Sequence, residues 1–319
     1  MKLLPIFEEG FDDNGKLQAN YRHIRSVASK FITKLLKYGD EAFELCSKRA
    51  DQTQRHADHV LLAFARHNAV YLDSTNALLA TGCVEGCAPL LRSILDATFG
   101  IAHIVQDKHE ERALAYQLAR IKRRIKHLRR GDRSHPDGRQ LEADLATDAF
   151  VPGVLSKLPN GLAAKAAELE LQLQAKPEFA PILVEWERLK HPPDRKRQPD
   201  PEWYNLFGGA KDIRGLAKQL NWQSLYDFFY RDWSNSAHAG DALDSYTTAD
   251  NCLRPLRYPA GYAKVLSYAF MLYINGLEKV AGFYDAVMGS QVRDYAVKVL
   301  NPELVHTANQ IEKALGAFK

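Results

Sequence analysis

The segment YDFFYRDWSNSAHAGDA places polar residues that could do chemistry at the end of an apolar run. If residues 223–238 form one helix, seven steps of about 100° bring Arg231 and His238 to nearly the same face, about 10 Å apart along the axis. Ser234 lies between them, and Tyr230 borders that face. Because arginine binds phosphate oxygens and histidine moves protons near neutral pH, this face suits a phosphate-bearing substrate.

A second polar cluster interrupts the apolar helix predicted over 87–106. Arg92 and Asp96 lie four residues apart and therefore face the same side, and His103, seven residues further, lies near it. An unpaired charge in so apolar a helix is costly. We therefore expect a polar cavity at the centre of a bundle, shared with His238, in which Asp96 orients either the histidine or an arginine.

Both clusters also have a purely structural interpretation. Arg92 and Asp96 would then form a buried ion pair that fixes helix packing. His238 would lie at the negative C-terminal end of a helix that Gly240 terminates. These residue patterns alone leave both interpretations open.

The polar segments resemble known families. RDWSNSAH resembles the R-x(4–6)-H motif of the HEPN superfamily (higher eukaryotes and prokaryotes nucleotide-binding), with six residues between Arg231 and His238. Asp232 is of the polar type that often follows the motif arginine. Written as Y-x3-S-x3-H, YRDWSNSAH also resembles a large, poorly characterised bacterial helical family whose upstream helix carries R-x3-[DE], as RSILD does here. This second resemblance covers about residues 60–285.

The HEPN resemblance implies an antiparallel helical bundle that dimerises so that two motifs meet. Active members are metal-independent endoribonucleases, often of toxin–antitoxin or phage-defence systems, and others bind nucleotides or partners without cleavage. In the implied reaction a ribose 2′-OH attacks the adjacent phosphate and leaves a 2′,3′-cyclic phosphate. This step needs a base, an acid and cations on the phosphorane. One His238 per chain does not readily serve as both acid and base, so a homodimer is expected.

The HEPN resemblance therefore implies a metal-independent endoribonuclease, acting as a toxin or phage-defence effector without a cofactor. The alternative is a non-catalytic helical module that binds a nucleotide or a protein partner. Expected partners are RNA, a second copy of the chain and a regulatory or neutralising protein. The predicted catalytic residues are Arg231, His238, Ser234, Tyr230, Asp96 and Arg92.

Positive charge is concentrated in the segment RIKRRIKHLRRGDRSHPDGR, although the net charge of the chain is only +4. The segment holds nine Lys and Arg residues against two acidic ones, so it attracts phosphates unless it is only a solvated helix face. We predict that a stripe at helical spacing guides RNA to the cleft without taking part in chemistry. The predicted RNA-binding residues are Lys122, Arg123, Lys126, Arg129 and Arg130.

Other kinds of site are less well supported by the residues. His56, His59 and His67 are spaced by one and two helical turns, as metal ligands can be. No further Glu or His motif completes such a site, so none is predicted. Neither a Gly-rich phosphate loop of the Walker type nor a G-x-S-x-G elbow occurs.

The composition indicates a soluble globular protein. Of the 319 residues, 46% are hydrophobic and 26% are charged. Four cysteines are too few for a disulfide framework, so reduced thiols and a cytoplasmic location are expected. The start MKLLPIFEEGFDDNG does not resemble a signal peptide, and charged residues interrupt the apolar segment over 263–289. No membrane association is therefore expected.

Apolar residues three and four apart occur along most of the chain and predict an all-α antiparallel bundle of long helices. We expect a single domain over 1–319, with residues 135–210 as an insertion of short helices and loops. Gly39 is expected to bend or interrupt the first helix, and Asp51 to start the second, which Gly82 ends. The predicted helices are 17–50, 51–82, 87–106, 109–131, 138–149, 160–175, 178–190, 210–220, 223–238, 259–289 and 301–318.

Overall fold

The structure, a computed structural model, describes residues 16–146, 161–193, 199–237, 246–247, 252–253 and 261–316. Most of them are helical, which confirms the predicted all-α class. The helices are α1 (Lys16–Thr53), α2 (His56–Thr81), α3 (Cys87–Gln106), α4 (His109–Arg130), α5 (Pro136–Leu145), α6 (Leu162–Gln174), α7 (Ala180–Lys190), α8 (Ile213–Gln219), α9 (Gln223–Leu225), α10 (Arg231–Ala237), α11 (Tyr262–Tyr284), α12 (Ala286–Tyr295) and α13 (Asn301–Gly316). Two-residue strands β1 (Tyr246–Thr247) and β2 (Cys252–Leu253) pair antiparallel and are too short to show an alternating pattern.

The chain divides into two compact units. Unit 1 comprises Met1–Asp107 and Arg214–Lys319, and unit 2 comprises Lys108–Ile213. The insertion predicted over 135–210 lies within unit 2, which begins earlier in the chain, before α4.

Unit 1 is a bundle in which α1, α2 and α3 pack on one another in sequence, and α11 packs against all three. α1 continues through Gly39, so the expected interruption is wrong. A Cβ at Gly39 would lie 1.8 Å from the Tyr273 hydroxyl oxygen, which means that this glycine makes room for a tyrosine of α11. α3 is long and apolar enough to cross a membrane by length and composition, and 61% of its most apolar window is buried. Fully buried side chains of this core include Ile24, Phe31, Leu35, Leu61, Leu72, Leu91, Ile94, Phe99 and Leu266.

The start of α2 differs from the prediction. α1 extends to Thr53, so Asp51 is helical and is not an N-cap. Asp58 instead holds this corner, since its carboxylate accepts from the backbone N–H of Arg55 at 2.8 Å and from the Thr53 hydroxyl at 2.5 Å. Gly82 ends α2 in the left-handed conformation, with φ of 89°, as predicted.

The helix predicted over 259–289 is two helices. α11 ends at Tyr284, and Asp285 adopts an extended conformation. The Asp285 carboxylate accepts from the backbone N–H of Val287 at 2.7 Å and so caps α12. An aspartate is tolerated on a helix surface and is also a favoured N-cap, so the sequence pattern does not separate these two cases.

Unit 2 is built around α4, which packs against α5, α6, α7 and the 3₁₀ turn Trp203–Gly208. The apolar face of α4 is buried against these shorter elements, so its charged residues are left at the surface. The buried cluster consists of Leu114, Ala115, Leu118, Ala119, Leu173, Phe179, Ile182, Trp186 and Leu206.

Candidate functional site

Arg92 is the centre of the polar cluster in unit 1. From α3 its guanidinium donates to the Ser234 hydroxyl and to the Tyr230 hydroxyl, both at 3.0 Å. The guanidinium carbon also lies 4.5 Å from the centroid of the Tyr230 ring. Its side chain is 21% exposed, so the charge is shielded but reachable from solvent. The structure therefore brings together three of the residues that the sequence singled out, from two segments 138 or more positions apart.

Asp96 lies beside this arginine, as the four-residue spacing predicts. Its carboxylate oxygen is 4.0 Å from Nε of Arg92, and its side chain is 46% exposed. Loss of water around the carboxyl raises its pKa to about 6, while the positive charge of Arg92 opposes this rise. The pKa of Tyr230 is also raised, by burial first and then by the negative charge of Asp96. Asp96 is thus a carboxyl whose pKa is raised towards neutrality although nearly half of its side chain reaches solvent.

The segment that carries Tyr230 and Ser234 is helical, but it is not the single α-helix predicted over 223–238. A π-turn over Tyr226–Tyr230 precedes α10. The extra residue of a π-turn rotates the faces that follow relative to those before it. Tyr230 and Ser234, one turn apart, both meet Arg92.

Aromatic packing anchors this segment to α11. Trp233 is 7% exposed and lies 5.7 Å from Tyr268, measured between ring centroids. Phe229 contacts the same tyrosine at 4.5 Å. Because these rings lock the segment in place, the hydroxyls that face Arg92 are held in a fixed position.

Of the two ends of the R-x6-H motif, the structure describes Arg231 but not His238. Arg231 is exposed, and among the described residues its side chain forms no hydrogen bond with Arg92, Tyr230 or Ser234. His238 lies outside the described residues, so its convergence with Arg231 stays a prediction. The arginine that the structure places with Tyr230 and Ser234 is Arg92.

Two other histidines occupy places that the sequence did not predict. His103 is 1% exposed and belongs to the core, whereas Asp96 on the same helix reaches solvent. His67 shares a hydrogen bond of 3.0 Å with Ser93, next to Arg92 in sequence, and burial lowers its pKa. No local pattern reveals this contact, because it joins positions 26 residues apart on different helices. Among the residues that the structure describes, no group of three or more His, Cys, Asp or Glu is arranged to hold a metal ion.

Three of the five residues of the predicted RNA-binding stripe of α4 lie opposite carboxylates of unit 2. Nζ of Lys122 is 3.8 Å from a Glu187 oxygen. Nζ of Lys126 is 3.8 Å from an oxygen of Asp200, whose other oxygen lies 2.6 Å from Nζ of Lys190. Arg129 forms an ion pair with Glu170. The other two predicted residues, Arg123 and Arg130, are exposed and have no ion pair among the described residues.

Comparison with known proteins gives one family. A family model described as a family of unknown function (DUF5677) matches residues 58–252. This range includes α3, the π-turn over Tyr226–Tyr230 and α10, and with them Arg92, Tyr230 and Ser234. No curated protein and no solved structure matches the chain.

Proposed function

We propose that this chain, which belongs to a family of unknown function (DUF5677), is a metal-independent endoribonuclease with its active site around Arg92. In this proposal it resembles the HEPN superfamily and acts as a toxin or phage-defence effector. The observation that carries the proposal is the guanidinium of Arg92 held between the hydroxyls of Ser234 and Tyr230.

This arrangement supports phosphate binding because of the direction of its hydrogen bonds. Arg92 has five N–H groups, and two of them donate to Ser234 and Tyr230. Each hydroxyl accepts from the cation and keeps its own O–H as a donor. The three side chains together therefore offer several donors to one oxyanion, around a charge that packing holds in place. Such an array would stabilise the negative charge that develops on a phosphorane.

Proton transfer in the proposed reaction needs two further groups. The four-residue spacing from Ser234 to His238 predicts that the histidine continues the same helical face. Asp96, with its pKa raised to about 6, is a second group able to exchange a proton near neutral pH. A homodimer would bring a second His238 to a shared cleft, as the HEPN resemblance implies.

The test is cleavage of a single-stranded RNA by the full-length protein in the presence of EDTA. We expect products that end in a 2′,3′-cyclic phosphate, and at least a hundredfold loss of rate in both His238→Ala and Arg92→Lys. Lysine keeps the charge of Arg92 but not its forked donors. Arg66→Ala, an exposed arginine of α2, is the matched control and should cleave normally. Cleavage that needs a divalent ion, or that persists in His238→Ala, would contradict the proposal.

A second candidate function is a non-catalytic helical module that binds a nucleotide or a protein partner. The observation that favours it is that the hydrogen bonds of Arg92 join α3 to the segment before α11, as expected of a residue that fixes packing. In that case His238→Ala would keep the binding activity, while Arg92→Ala would lower stability and binding together.

A further inference from the structure

Unit 2 carries an open hollow beside the C-terminal half of α4, with a volume of about 400 Å³. Four of its seven lining residues are arginine or histidine, and none is acidic. The lining residues are Arg120, Arg123, Arg124, His127, Leu128, Gly131 and Leu162.

The cations of this hollow lie on a different face of α4 from the paired stripe. Positions 120, 124 and 127 are spaced by four and three residues and share one side of the helix, and Arg123 borders it. Arg120, Arg123 and Arg124 are exposed, and none of them forms an ion pair within the described parts of the chain. Lys122 and Lys126, in contrast, face carboxylates. Three exposed arginines with no ion pair among the described residues thus line the hollow, and Arg130 is a further exposed cation of α4 outside it.

The hollow is lined by two leucines, and the hydrogen bonds of Asp132 fix the backbone next to it. Leu128 and Leu162 supply the floor, from α4 and the start of α6. Asp132, which is 7% exposed, fixes this corner: one oxygen accepts from the backbone N–H of Ala163 at 2.7 Å, and the other from that of Ser134 at 2.9 Å. The acid closest in sequence to the arginines is thus engaged with backbone groups and does not neutralise them.

We propose that this hollow is the RNA-binding site of unit 2. The exposed arginines bind consecutive phosphates, and a base lies on Leu128 and Leu162 or stacks on a guanidinium plane. The volume of about 400 Å³ is within the range of about 300–1,000 Å³ found for ligand sites. This inference rests on the proposed function only in taking RNA as the ligand, and it moves RNA binding from Lys122, Lys126 and Arg129 to the neighbouring face.

The expected salt dependence follows from the number of free cations. Each phosphate neutralised on a single strand contributes about −0.7 to the slope of log K against log salt concentration. Three arginines then give a slope of about −2, or an affinity loss of roughly 20-fold between 50 and 200 mM salt. Without two of them the loss over the same range should be only about threefold, and the affinity at 0.1 M salt should be about 25-fold weaker.

The experiment compares two matched double variants of the full-length chain, Arg120→Gln with Arg124→Gln, and Lys122→Gln with Lys126→Gln. Each variant removes two positive charges that lie four residues apart on α4, and the two pairs are offset from each other by two residues. The probe is a labelled 2′-O-methyl RNA of about 12 nucleotides, which attack by a 2′-OH cannot cleave. Affinity is measured across a salt series, and circular dichroism checks that each variant is folded. We expect the arginine pair to weaken binding about 25-fold and to lower the slope by about 1.4, and the lysine pair to change affinity less than threefold.

Equal losses in both variants, or a loss confined to the lysine pair, would overturn the assignment. So would displacement of the probe by millimolar inorganic phosphate at constant ionic strength, since this indicates a site for a single anion. Two results separate this inference from the proposed function. If unmodified RNA is cleaved and the arginine pair binds it normally, only the hollow is wrong. If RNA is neither bound nor cleaved, both fail.

Discussion

The hydrogen bond between Arg92 and Tyr230 can be measured by a double-mutant cycle. Tyr230→Phe removes the acceptor at 3.0 Å but keeps the ring under the guanidinium, so it should destabilise unit 1 by about 1.5 kcal/mol. Arg92→Ala removes this bond, the bond to Ser234 and the cation–π contact, which contribute about 1.5, 1.5 and 0.5 kcal/mol. We take the lower values because the arginine side chain is 21% exposed and water replaces part of what is lost.

In Arg92→Ala the Tyr230 hydroxyl no longer accepts a hydrogen bond from the arginine, so adding Tyr230→Phe to that variant should cost almost nothing. The expected coupling energy is therefore about 1–1.5 kcal/mol. The assay is urea unfolding followed by tryptophan fluorescence, with Trp233 next to the site as a reporter. Arg66→Ala, on the surface of α2, should change stability by less than about 0.5 kcal/mol.

A coupling energy below about 0.5 kcal/mol would show that the two side chains do not interact in solution. The proposed phosphate site would then have no support, because it depends on the contact between Arg92 and Tyr230. The cycle also has a readout independent of stability. Removing the positive charge of Arg92 should raise the pKa of Asp96 further above about 6, because that charge is what opposes the rise. An unchanged Asp96 titration in Arg92→Ala, followed by NMR, would refute the electrostatic part of the reasoning.

Three further outcomes are expected. The pKa of Asp96 is about 6 in the folded state and 3.8 ordinarily, so the stability that the protonated carboxyl contributes is lost as the pH rises through about 6. The stability of Asp96→Asn relative to wild type should therefore increase between pH 4 and 6. A stability difference that does not change with pH would contradict this. Gly138→Ala should destabilise unit 2 by at least about 2 kcal/mol, because a Cβ there would lie 1.9 Å from the Asp132 carbonyl oxygen. Gly316→Ala is the control: a Cβ there would have no atom within 4 Å, so thermal unfolding should be unchanged. Light scattering at micromolar concentration should show a homodimer, and monomer alone would remove the shared two-histidine cleft.

Helical spacing along the chain was enough to predict much of this architecture. The apolar periodicity predicted α3 and α4 nearly to their ends, since a regular helix fixes which residues share a face, whereas the second helix was predicted to start at residue 51 and starts at His56. The same rule placed Asp96 beside Arg92 and Ser234 one turn from Tyr230. It failed where one residue type suits two conformations, as at Asp285, which is an N-cap and not part of a longer helix.

Contacts between distant segments were decided only by the packing of the helices. Arg92 meets Ser234 across 142 positions, and the carboxylates that lie opposite Lys122 and Lys126 come from beyond residue 180. No periodicity links such positions, because their distance depends on how every intervening helix packs. The raised pKa of Asp96 has the same origin, since desolvation is set by the atoms that surround the carboxyl and not by its neighbours in sequence. Spacing shows which side chains share a helix face, and packing decides which of them keep a charge available for a ligand.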